Sequence, residues 1–513
     1  MPGVKPRLSL RDVMAGASVA LVLIPQAVAY AELAGLPGSA GLYAAAHAPI
    51  AAAFFASSPY LQTGPVALTA LLTLGALVPL AEPGTARYLG LAALLAMVVG
   101  LVRLAIGLSK AGWISYLMSQ PMLVGFTTGA AVLIIGAQFP GALGVRPPVS
   151  GFPEGPIWTL SNPGSWELAS VVLAASTVVI ILGARRIHRL VPGVLIATVG
   201  GLAFSLLTEY DGPVMGAIDV GLPTLSLSLP WTALPALTLS GAVIALVGFA
   251  EAASIGRTFA TLERQDWDPS REFVSQGVAN LAAGLGGGLP VGGSFARSSL
   301  THLAGARSRW AGAVTGLVVL AFLPFASVLS ALPTAILSGI VIAAVLGLVR
   351  FREMWRLWEL SKPQAAIAWG TFLLCMGLAP RIDHAVILGM GASLAVHVLR
   401  EMKPGAESRV EGRTIHLHPR GVLWYGSAAR MERSLLASLA DTEDIDRVVI
   451  HVGALGRIDL TGAFVLKQIL DDAQSAGLGT DVVDVPAQSR RILTRVLGWT
   501  REGGLPEQLP NHD

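Results

Sequence analysis

Charged residues are scarce in this chain. Only 13% of its 513 residues are Asp, Glu, Lys or Arg, about half the share of an ordinary soluble domain. Hydrophobic residues make up 53%, and the mean hydropathy is +0.65. A soluble fold of this composition would lack the polar surface that water requires. Soluble classes are therefore excluded for most of the chain, which is predicted to lie in a lipid bilayer.

Cysteine is almost absent as well. A single cysteine, Cys375, excludes an internal disulfide, and no metal-ligand spacing occurs. The glycine-rich run at 284–293 has neither a P-loop lysine nor a preceding strand. Because a convergent nucleophile is also lacking, the sequence predicts no enzymatic activity, no metal, no cofactor and no nucleic-acid partner.

Apolar runs separated by short polar or Gly/Pro breaks extend from about residue 12 to residue 400. A full membrane span takes roughly 20 such residues. Fourteen segments are predicted, at 12–31, 39–56, 64–80, 88–108, 118–138, 167–184, 192–208, 235–256, 271–287, 294–305, 310–328, 333–349, 364–380 and 383–400. The third and the tenth are short for a full span.

The loop charges support this count. If the N-terminus is cytoplasmic, the opposite loops carry only Arg87, Arg146 and Arg381. The cytoplasmic loops then carry Lys5, Arg7, Arg11, Lys110, Arg185, Arg186, Arg189, Arg257, Arg264, Arg271, Arg307, Arg309, Arg350, Arg352, Arg356, Lys362, Arg400 and Lys403. Cytoplasmic loops are enriched in Lys and Arg. The bias predicts an inner-membrane protein with both termini in the cytoplasm.

The long apolar runs end at Lys403-Pro404-Gly405. Strands and helices are predicted to alternate from there, with strands at 413–417, 422–425, 447–452 and 480–485 and helices at 427–439, 461–475 and 487–497. Such alternation indicates a mostly parallel sheet covered by helices. We therefore predict a membrane domain at 1–403 and a small cytoplasmic α/β domain at 404–513.

The two short segments resemble each other. G-P-V-A-L-T-A-L at 64–71 and G-S-F-A-R-S-S-L at 293–300 place glycine, alanine, a hydroxyl residue and leucine at matching positions. Their upstream partners, Pro25-Gln26 and Glu251, each precede the short segment by about 40 residues. Because seven segments separate the two, equivalent segments run in opposite directions, which is an inverted repeat.

Short helices of this kind have a chemical consequence. A helix that begins in mid-membrane presents unpaired N–H groups and the positive end of its dipole. Two such ends that face each other form an anion site without any charged side chain. Gly64 and Gly293 would allow close approach, and Pro65 suits a first helical position. The repeat thus predicts an anion site between the third and tenth segments.

Several motifs carry a family resemblance. P-Q-A-V-A-Y-A at 25–31, with A-G-L-P at 34–37 and G-L-Y at 41–43, resembles the opening signature of the SulP family, the sulfate permease-like anion transporters. Three further motifs are similar to family segments in the same order: G-P-V-A at 64–67, V-G-F-A-E at 247–251 and G-G-S-F-A-R-S at 292–298. The C-terminal unit resembles a STAS domain, with I-D-L-T-G at 458–462.

The resemblance implies a fold of two inverted seven-helix repeats. A core domain (12–108 and 235–328) would carry the substrate and move against a gate domain (118–208 and 333–400) within a homodimer. The implied cargo is a small anion such as sulfate, bicarbonate, chloride or a dicarboxylate, and the STAS-like domain would offer a site for a regulatory protein. The implied substrate-binding residues are Gln26, Tyr30, Gly64, Pro65, Val66, Ala67, Phe295, Ala296 and Arg297. Some relatives have serine where this chain has Ala296.

Ionisable residues within predicted spans are functional candidates. We predict that Glu251 binds the coupling cation, a proton or sodium; the alternative is a structural pair with Arg297, which would otherwise contact the substrate. Glu32 is a second coupling candidate, with a water-facing position as its alternative. Arg103 is expected to extend its side chain to the cytoplasmic interface. His47 is expected to be a hydrogen-bonded packing residue.

In the soluble domain, Asp459 and Thr461 fall at the first turn of a predicted helix, where both residue types make good caps. Phosphorylation of Thr461 is the alternative, because related signalling domains carry a phosphorylated hydroxyl near this position.

The leading functional prediction is secondary active transport of small anions by alternating access, coupled to protons or sodium by symport. One alternative keeps the fold and changes the cargo to a nucleobase. The other is a membrane sensor or scaffold that signals through the soluble domain. The sequence does not choose among the anions, nor between symport and exchange.

Overall fold

The computed structural model describes residues 8–116, 118–148, 153–188, 190–218, 221, 225–401, 406–442 and 444–497. The chain divides into two compact units, Met1–Gly391 and Ala392–Asp513. This division falls inside the last long helix of the membrane region. The predicted boundary at 403–404 lies outside the described residues.

The first unit is built from α-helices, most of which are joined by short connections. In chain order they are α1 (Leu10–Leu33), α2 (Gly38–Phe55), α3 (Ala67–Leu77), α4 (Ala86–Leu108), α5 (Gln120–Ala137), α6 (Phe139–Ala142), α7 (Glu154–Ser161), α8 (Leu168–Ile187), α9 (Gly193–Leu207), α10 (Leu234–Glu263), α11 (Pro269–Leu285), α12 (Phe295–Leu303), α13 (Trp310–Phe322), α14 (Thr334–Val345), α15 (Phe351–Leu360), α16 (Lys362–Leu378) and α17 (Ile382–Glu401). Each of the fourteen predicted segments contains one of these helices, and eight helical runs among the described residues are long and apolar enough to cross a bilayer.

Contacts at the two ends of α1 define two opposite sides of the first unit. Asp12, in the first turn of α1, accepts hydrogen bonds from the N–H groups of Arg307 and Ser308, at 2.7 and 2.8 Å, just before α13. The Tyr88 hydroxyl, at the start of α4, donates to the carbonyl of Ala34 just after α1, at 2.7 Å. Helix α1 therefore begins on one side, hereafter the N-terminal side, and ends on the opposite side.

Small residues set how closely the helices approach. Gly100 and Gly107 of α4 face α11, where an added Cβ would lie 2.8 Å from the Leu281 nitrogen and 2.7 Å from the Ser270 oxygen. Such contacts are typical of helix pairs in membranes. Arg103 lies on the same inward face, and its side chain is 0% exposed. The prediction that Arg103 extends to the interface is therefore wrong, because this face of α4 turns into the protein.

Two extended pairs of residues meet inside the helical unit. Strand β1 (Thr63–Gly64) pairs antiparallel with β2 (Gly292–Gly293). Non-helical backbone must find partners inside a membrane protein, and these two strands provide them for each other. Helices α3 and α12 follow directly and are 11 and 9 residues long, which confirms the two predicted short helices.

The second unit is the predicted α/β domain. Its elements are β3 (Ala406–Glu411), β4 (Thr414–Pro419), β5 (Gly421–Leu423), α18 (Tyr425–Ala440), β6 (Arg447–His451), β7 (Leu455–Ile458), α19 (Leu460–Ser475), β8 (Gly479–Val483) and α20 (Ala487–Val496). The main sheet has the order β3-β4-β6-β8, parallel except for β3, while β5 pairs with β7. A mostly parallel sheet is thus confirmed, although the sequence missed the short strands β3 and β7.

Two local predictions can be compared with the structure directly. The Asp459 carboxylate accepts a hydrogen bond from the N–H of Gly462 at 2.6 Å and caps α19, as predicted. Thr461 is exposed in the first turn of α19, and its phosphorylation stays a prediction. In the first unit, the Nδ1 atom of half-buried His47 lies 2.8 Å from the carbonyl oxygen of Tyr43, which confirms a packing histidine.

Candidate anion site

The starts of the two short helices lie side by side. In the β1–β2 ladder, Thr63 faces Gly293 and Gly64 faces Gly292. The N–H of Ser294 extends the ladder by donating to the carbonyl of Gln62 at 3.1 Å. The prediction that Gly64 and Gly293 meet is confirmed.

Both helix starts lack side-chain caps. The N-cap residues are Val66 for α3 and Ser294 for α12, and neither forms a capping hydrogen bond through its side chain. The first N–H groups of a helix have no partner within that helix. These donors, together with the positive ends of two dipoles, are available to an anion.

A cavity of about 550 Å³ opens beside the two helix starts. Among the predicted substrate residues, the side chains and backbone that line it are those of Gln26, Tyr30, Val66, Ala67, Phe295 and Ala296. Gly64, Pro65 and Arg297 are not in the lining: Gly64 belongs to the ladder, and Pro65 is buried behind the start of α3. The geometry therefore brings six of the nine predicted residues to one cavity.

Arg297 lies behind the cavity wall. Its side chain is 1% exposed, and Nη1 donates to Oε1 of Gln26 at 3.3 Å. The atoms Nε and Nη2 have no hydrogen-bond partner, and a Cβ at Gly64 would lie 3.4 Å from Nη2. Buried donors normally have partners, so these N–H groups require an explanation. A bound anion close to Gln26 would supply the acceptors.

Glu251 is the acidic residue of this site. It lies on α10 and lines the same cavity as Gln26 and Ser294. Both Glu251 and Arg297 belong to the described residues, and no hydrogen bond or ion pair joins them. The two charges nevertheless lie close enough to interact electrostatically, so the alternative of a structural Glu251–Arg297 pair stays a prediction. The carboxylate remains accessible to a cation from the cavity.

Glu32 lies elsewhere. It is exposed on α1, whereas Gln26 and Tyr30 on the same helix are buried and line the cavity. Residues two positions apart on a helix point to nearly opposite faces, which separates Glu32 from Tyr30. The structure thus brings Glu251 to the cavity and leaves Glu32 outside it, and the water-facing position of Glu32 stays a prediction.

Polar side chains from α11 and α12 fix the backbone around the ladder. Gln276 donates to the Thr63 hydroxyl at 2.6 Å, and the Ser298 hydroxyl accepts from the Gln62 N–H at 2.9 Å. Asn280 forms hydrogen bonds with both the N–H and the carbonyl of Val291, at 2.9 and 3.2 Å. Each bond satisfies a backbone or side-chain group that water does not reach.

Three arginines line the cavity that sequence reasoning treated as loop cations. Arg185 follows the apolar part of α8, Arg257 lies near the end of α10, and Arg350 follows α14. The guanidinium of Arg257 also stacks over the Tyr116 ring, 4.8 Å from its centroid. Arg257 lies three residues after Ser254 and seven after Ala250, spacings at which side chains share a helix face, and both of those residues also line the cavity; the register of α10 was therefore the signal available.

The cavity lining includes Arg257 and Arg350 on the N-terminal side, whereas helices pack against one another at the opposite side. There, Ser240 of α10 donates to the Asp383 carboxylate of α17 at 2.7 Å. Gly75, near the end of α3, packs directly against the Pro380 backbone, and a Cβ would not fit. These contacts join the two halves of the helical unit where the cavity does not reach.

Two inverted half-helices, uncapped and facing a cavity beside a buried cation, form an arrangement that suits a small anion. The comparisons with known proteins agree. The sulfate permease family matches residues 10–371, and the STAS domain matches residues 406–497. The chain belongs to the sulfate permease family, whose members here are transporters and not enzymes.

Named relatives come from bacteria, plants and animals. The chain is 29% identical to a probable sulfate transporter of Mycobacterium tuberculosis over 91% of this chain and 88% of the relative. It is 30% identical to the chloroplastic sulfate transporter 4.1 of Arabidopsis thaliana, over 79% and 61%. It is 25% identical to the sodium-independent sulfate anion transporter of Bos taurus, over 94% and 85%.

Solved structures share the fold. The murine anion transporter Slc26a9 in its inward-facing state superposes with a TM-score of 0.86 at 20% identity, over 96% of this chain and 88% of that one. The transmembrane domain of the cyanobacterial bicarbonate transporter BicA superposes with a TM-score of 0.65 at 25% identity, over 76% and 98%. The predicted transporter fold followed by a STAS domain is confirmed.

Proposed function

We propose that this protein is a secondary active transporter that binds a small anion between the starts of α3 and α12 and moves it by alternating access. The cargo class is sulfate, bicarbonate, chloride or a dicarboxylate, driven by symport with protons or sodium. The observation that carries this proposal is the buried Arg297 guanidinium, whose Nε and Nη2 atoms lack acceptors beside two uncapped helix starts.

The binding step follows from unsatisfied donors. An anion that enters past Gln26 would accept from N–H groups at the starts of α3 and α12 and lie close to Arg297. In a site shielded from water, each charge-assisted hydrogen bond is stronger than a neutral one. The site has no covalent step to perform, so its task is to bind, to exclude water and to release.

The coupling step is assigned to Glu251. A carboxylate on the cavity wall without an ion-pair partner can take up a proton or contribute to a sodium site. Cation binding there would offset the negative charge that an entering anion brings. Glu32 is not assigned this role, because it is exposed on another face of α1.

The transport step requires two halves that move. We propose a core domain (12–108 and 235–328) that carries the anion and a gate domain (118–208 and 333–400). The cavity reaches the N-terminal side, while the Ser240–Asp383 hydrogen bond joins the proposed core and gate at the opposite side. Opening to that side would break this bond and close the route lined by Arg257 and Arg350.

The cellular setting is part of the same proposal. Positive loop charges favour a cytoplasmic position for the N-terminal side and an inner-membrane location. We propose a homodimer, and a regulatory protein that binds at the STAS domain. The nucleobase alternative has lost its support, because the family and its named relatives are anion and sulfate transporters. A sensor without transport is disfavoured for the same reason.

The direct test uses purified full-length protein in liposomes. Labelled sulfate, bicarbonate, chloride, a dicarboxylate and, for comparison, a nucleobase are offered separately, with an imposed proton gradient, an imposed sodium gradient or neither. We expect accumulation of one anion class with only one of the two gradients. Uptake of a nucleobase, or no uptake of any anion by protein that remains folded, would refute the proposed function.

A further inference from the structure

Arg103 is a buried cation that the transport cycle described above does not use. Its guanidinium donates to three backbone carbonyls: Nε to Ala245 at 3.0 Å, Nη1 to Val291 at 2.9 Å and Nη2 to Ile244 at 3.2 Å. No carboxylate among the described residues forms an ion pair with it. Since a buried charge is costly even when hydrogen-bonded, a cation held by backbone carbonyls alone, with no carboxylate beside it, calls for a function.

One hydrogen bond of Arg103 reaches the lead-in to α12. Val291 directly precedes the β2 strand, and Asn280 binds the same carbonyl at 3.2 Å. The Thr69 hydroxyl of α3 donates to the neighbouring Pro290 carbonyl at 3.0 Å. Side chains from α3, α4 and α11 thus hold the extended segment that sets where α12 begins.

The other two hydrogen bonds reach α10. The carbonyls of Ile244 and Ala245 lie about two turns before Glu251 on that helix. Gly248 lies between, and a Cβ there would be 2.5 Å from Arg103 Nη2 and would displace it. Arg103 is therefore the side chain that ties the helix carrying Glu251 to the segment that carries the start of α12.

We propose that Arg103 is a positioning residue of the anion site. It fixes the start of α12 relative to α10, and its charge, which no carboxylate neutralises, adds positive potential behind the helix starts. The inference rests on the proposed function. Arginine suits the role because its planar fork reaches three carbonyls from one rigid group, whereas lysine would bring a single ammonium on a flexible stem.

The test separates anion affinity from folding. Arg103→Lys, Arg103→Gln and the wild type are purified as full-length protein, and the KM for anion uptake in liposomes is compared with the maximal rate per folded molecule. We expect KM to rise about tenfold in Arg103→Gln and less in Arg103→Lys, which keeps the charge. Arg87→Gln, an exposed site on the same helix, is the matched control and should keep the wild-type KM.

A second variant covers the case in which Arg103→Gln does not fold. Gly248→Ala leaves every charged group in place but pushes the guanidinium away from α10. It should raise KM in the same direction, with a smaller anion-induced rise in melting temperature. A wild-type KM in folded Gly248→Ala or Arg103→Gln protein would overturn the inference and leave the proposed function intact. Failure of the wild type to bind any anion would instead refute the proposed function.

Discussion

The two inverted repeats of the helical unit share a backbone arrangement but differ in charge. Their short helices begin at paired residues of one small ladder, and Ala67 of α3 and Ala296 of α12 occupy matching positions. Next to the helix starts, the first repeat brings neutral side chains such as Gln26, while the second brings Glu251 and Arg297; Arg185 of the first repeat also lines the cavity. The comparison shows that the repeated fold supplies the helix dipoles twice, whereas the acid and the buried arginine next to the helix starts come from one repeat.

This division has a physical advantage. Helix dipoles and amide donors attract any small anion, whatever its protonation state, and cost no buried charge. A buried cation and a titratable acid are expensive, but they can link anion binding to the binding of a cation. Because Glu251 and Arg297 belong to the same repeat, both lie in the proposed core and would move together with the bound anion.

Arg297→Gln should have the largest effect on this asymmetry. It removes the buried positive charge of Arg297 and leaves the two helix starts in place. We expect anion affinity to fall at least about thirtyfold, since breaking a buried charge interaction costs about 2–5 kcal/mol. The measurement is the dissociation constant of the purified protein from anion-induced thermal shifts, confirmed by uptake.

Arg297→Lys keeps the positive charge but lacks the planar guanidinium group. It is therefore the control for charge alone, and it should recover part of the affinity. If folded Arg297→Gln binds the anion as tightly as the wild type, the dipoles alone hold the cargo, and the two repeats are equivalent in function.

Glu251→Gln should have the next largest effect, on coupling and not on binding. The amide is similar in size but cannot take up a proton. We expect gradient-driven accumulation to disappear, while binding of the anion changes by less than about tenfold. Uptake is measured with and without the imposed gradient.

Glu32→Gln is the matched control, because Glu32 is an exposed carboxylate on another face of α1. It should accumulate anion like the wild type, with the same pH dependence. Undiminished accumulation by Glu251→Gln would remove Glu251 from the coupling mechanism.

Gly293→Ala and Gly64→Ala probe the ladder itself. A Cβ at Gly293 would lie 2.8 Å from the Leu61 side chain and 3.1 Å from the Ala252 backbone. At Gly64 the nearest atom would be Nη2 of Arg297, at 3.4 Å. We expect Gly293→Ala to cost about 1–3 kcal/mol through overpacking and Gly64→Ala less than about 1 kcal/mol.

Melting temperatures of the two variants in detergent give the comparison directly. Equal losses at Gly64 and Gly293 would mean that the ladder is as tightly packed on one repeat as on the other, contrary to the distances given above.

Much of this fold was predictable because a bilayer admits few solutions. Backbone groups in lipid must be paired internally, so long apolar runs have to be helices, and short ones flanked by glycine have to begin inside the protein. The loop charges then supported the number of segments and predicted their orientation in the membrane. The match between 64–71 and 293–300 was enough to predict that the two helix starts meet.

What failed was the direction in which side chains point. Helices that are apolar on all sides give little periodic signal, so Arg103 was assigned to the interface although it is buried, and Arg185 and Arg257 were counted only as loop charges. The inward glycines Gly100 and Gly107 were a usable signal, because close helix contact identifies the face that carries Arg103. Helix rotation is decided by tertiary packing, which lies outside the reach of a hydropathy pattern.

Ala296→Ser should have the smallest effect, and Ala67→Ser is its matched control on the other repeat. Each adds one hydroxyl to the cavity wall at an equivalent helix start. A new hydrogen bond is worth about 0.5–1.5 kcal/mol, so we expect Ala296→Ser to tighten anion binding about two- to tenfold. Ala67→Ser should change it less, because Arg297 draws the anion toward α12. A larger gain from Ala67→Ser would show that the anion lies closer to the start of α3 than to the start of α12. Arg297 would then not determine where the anion binds.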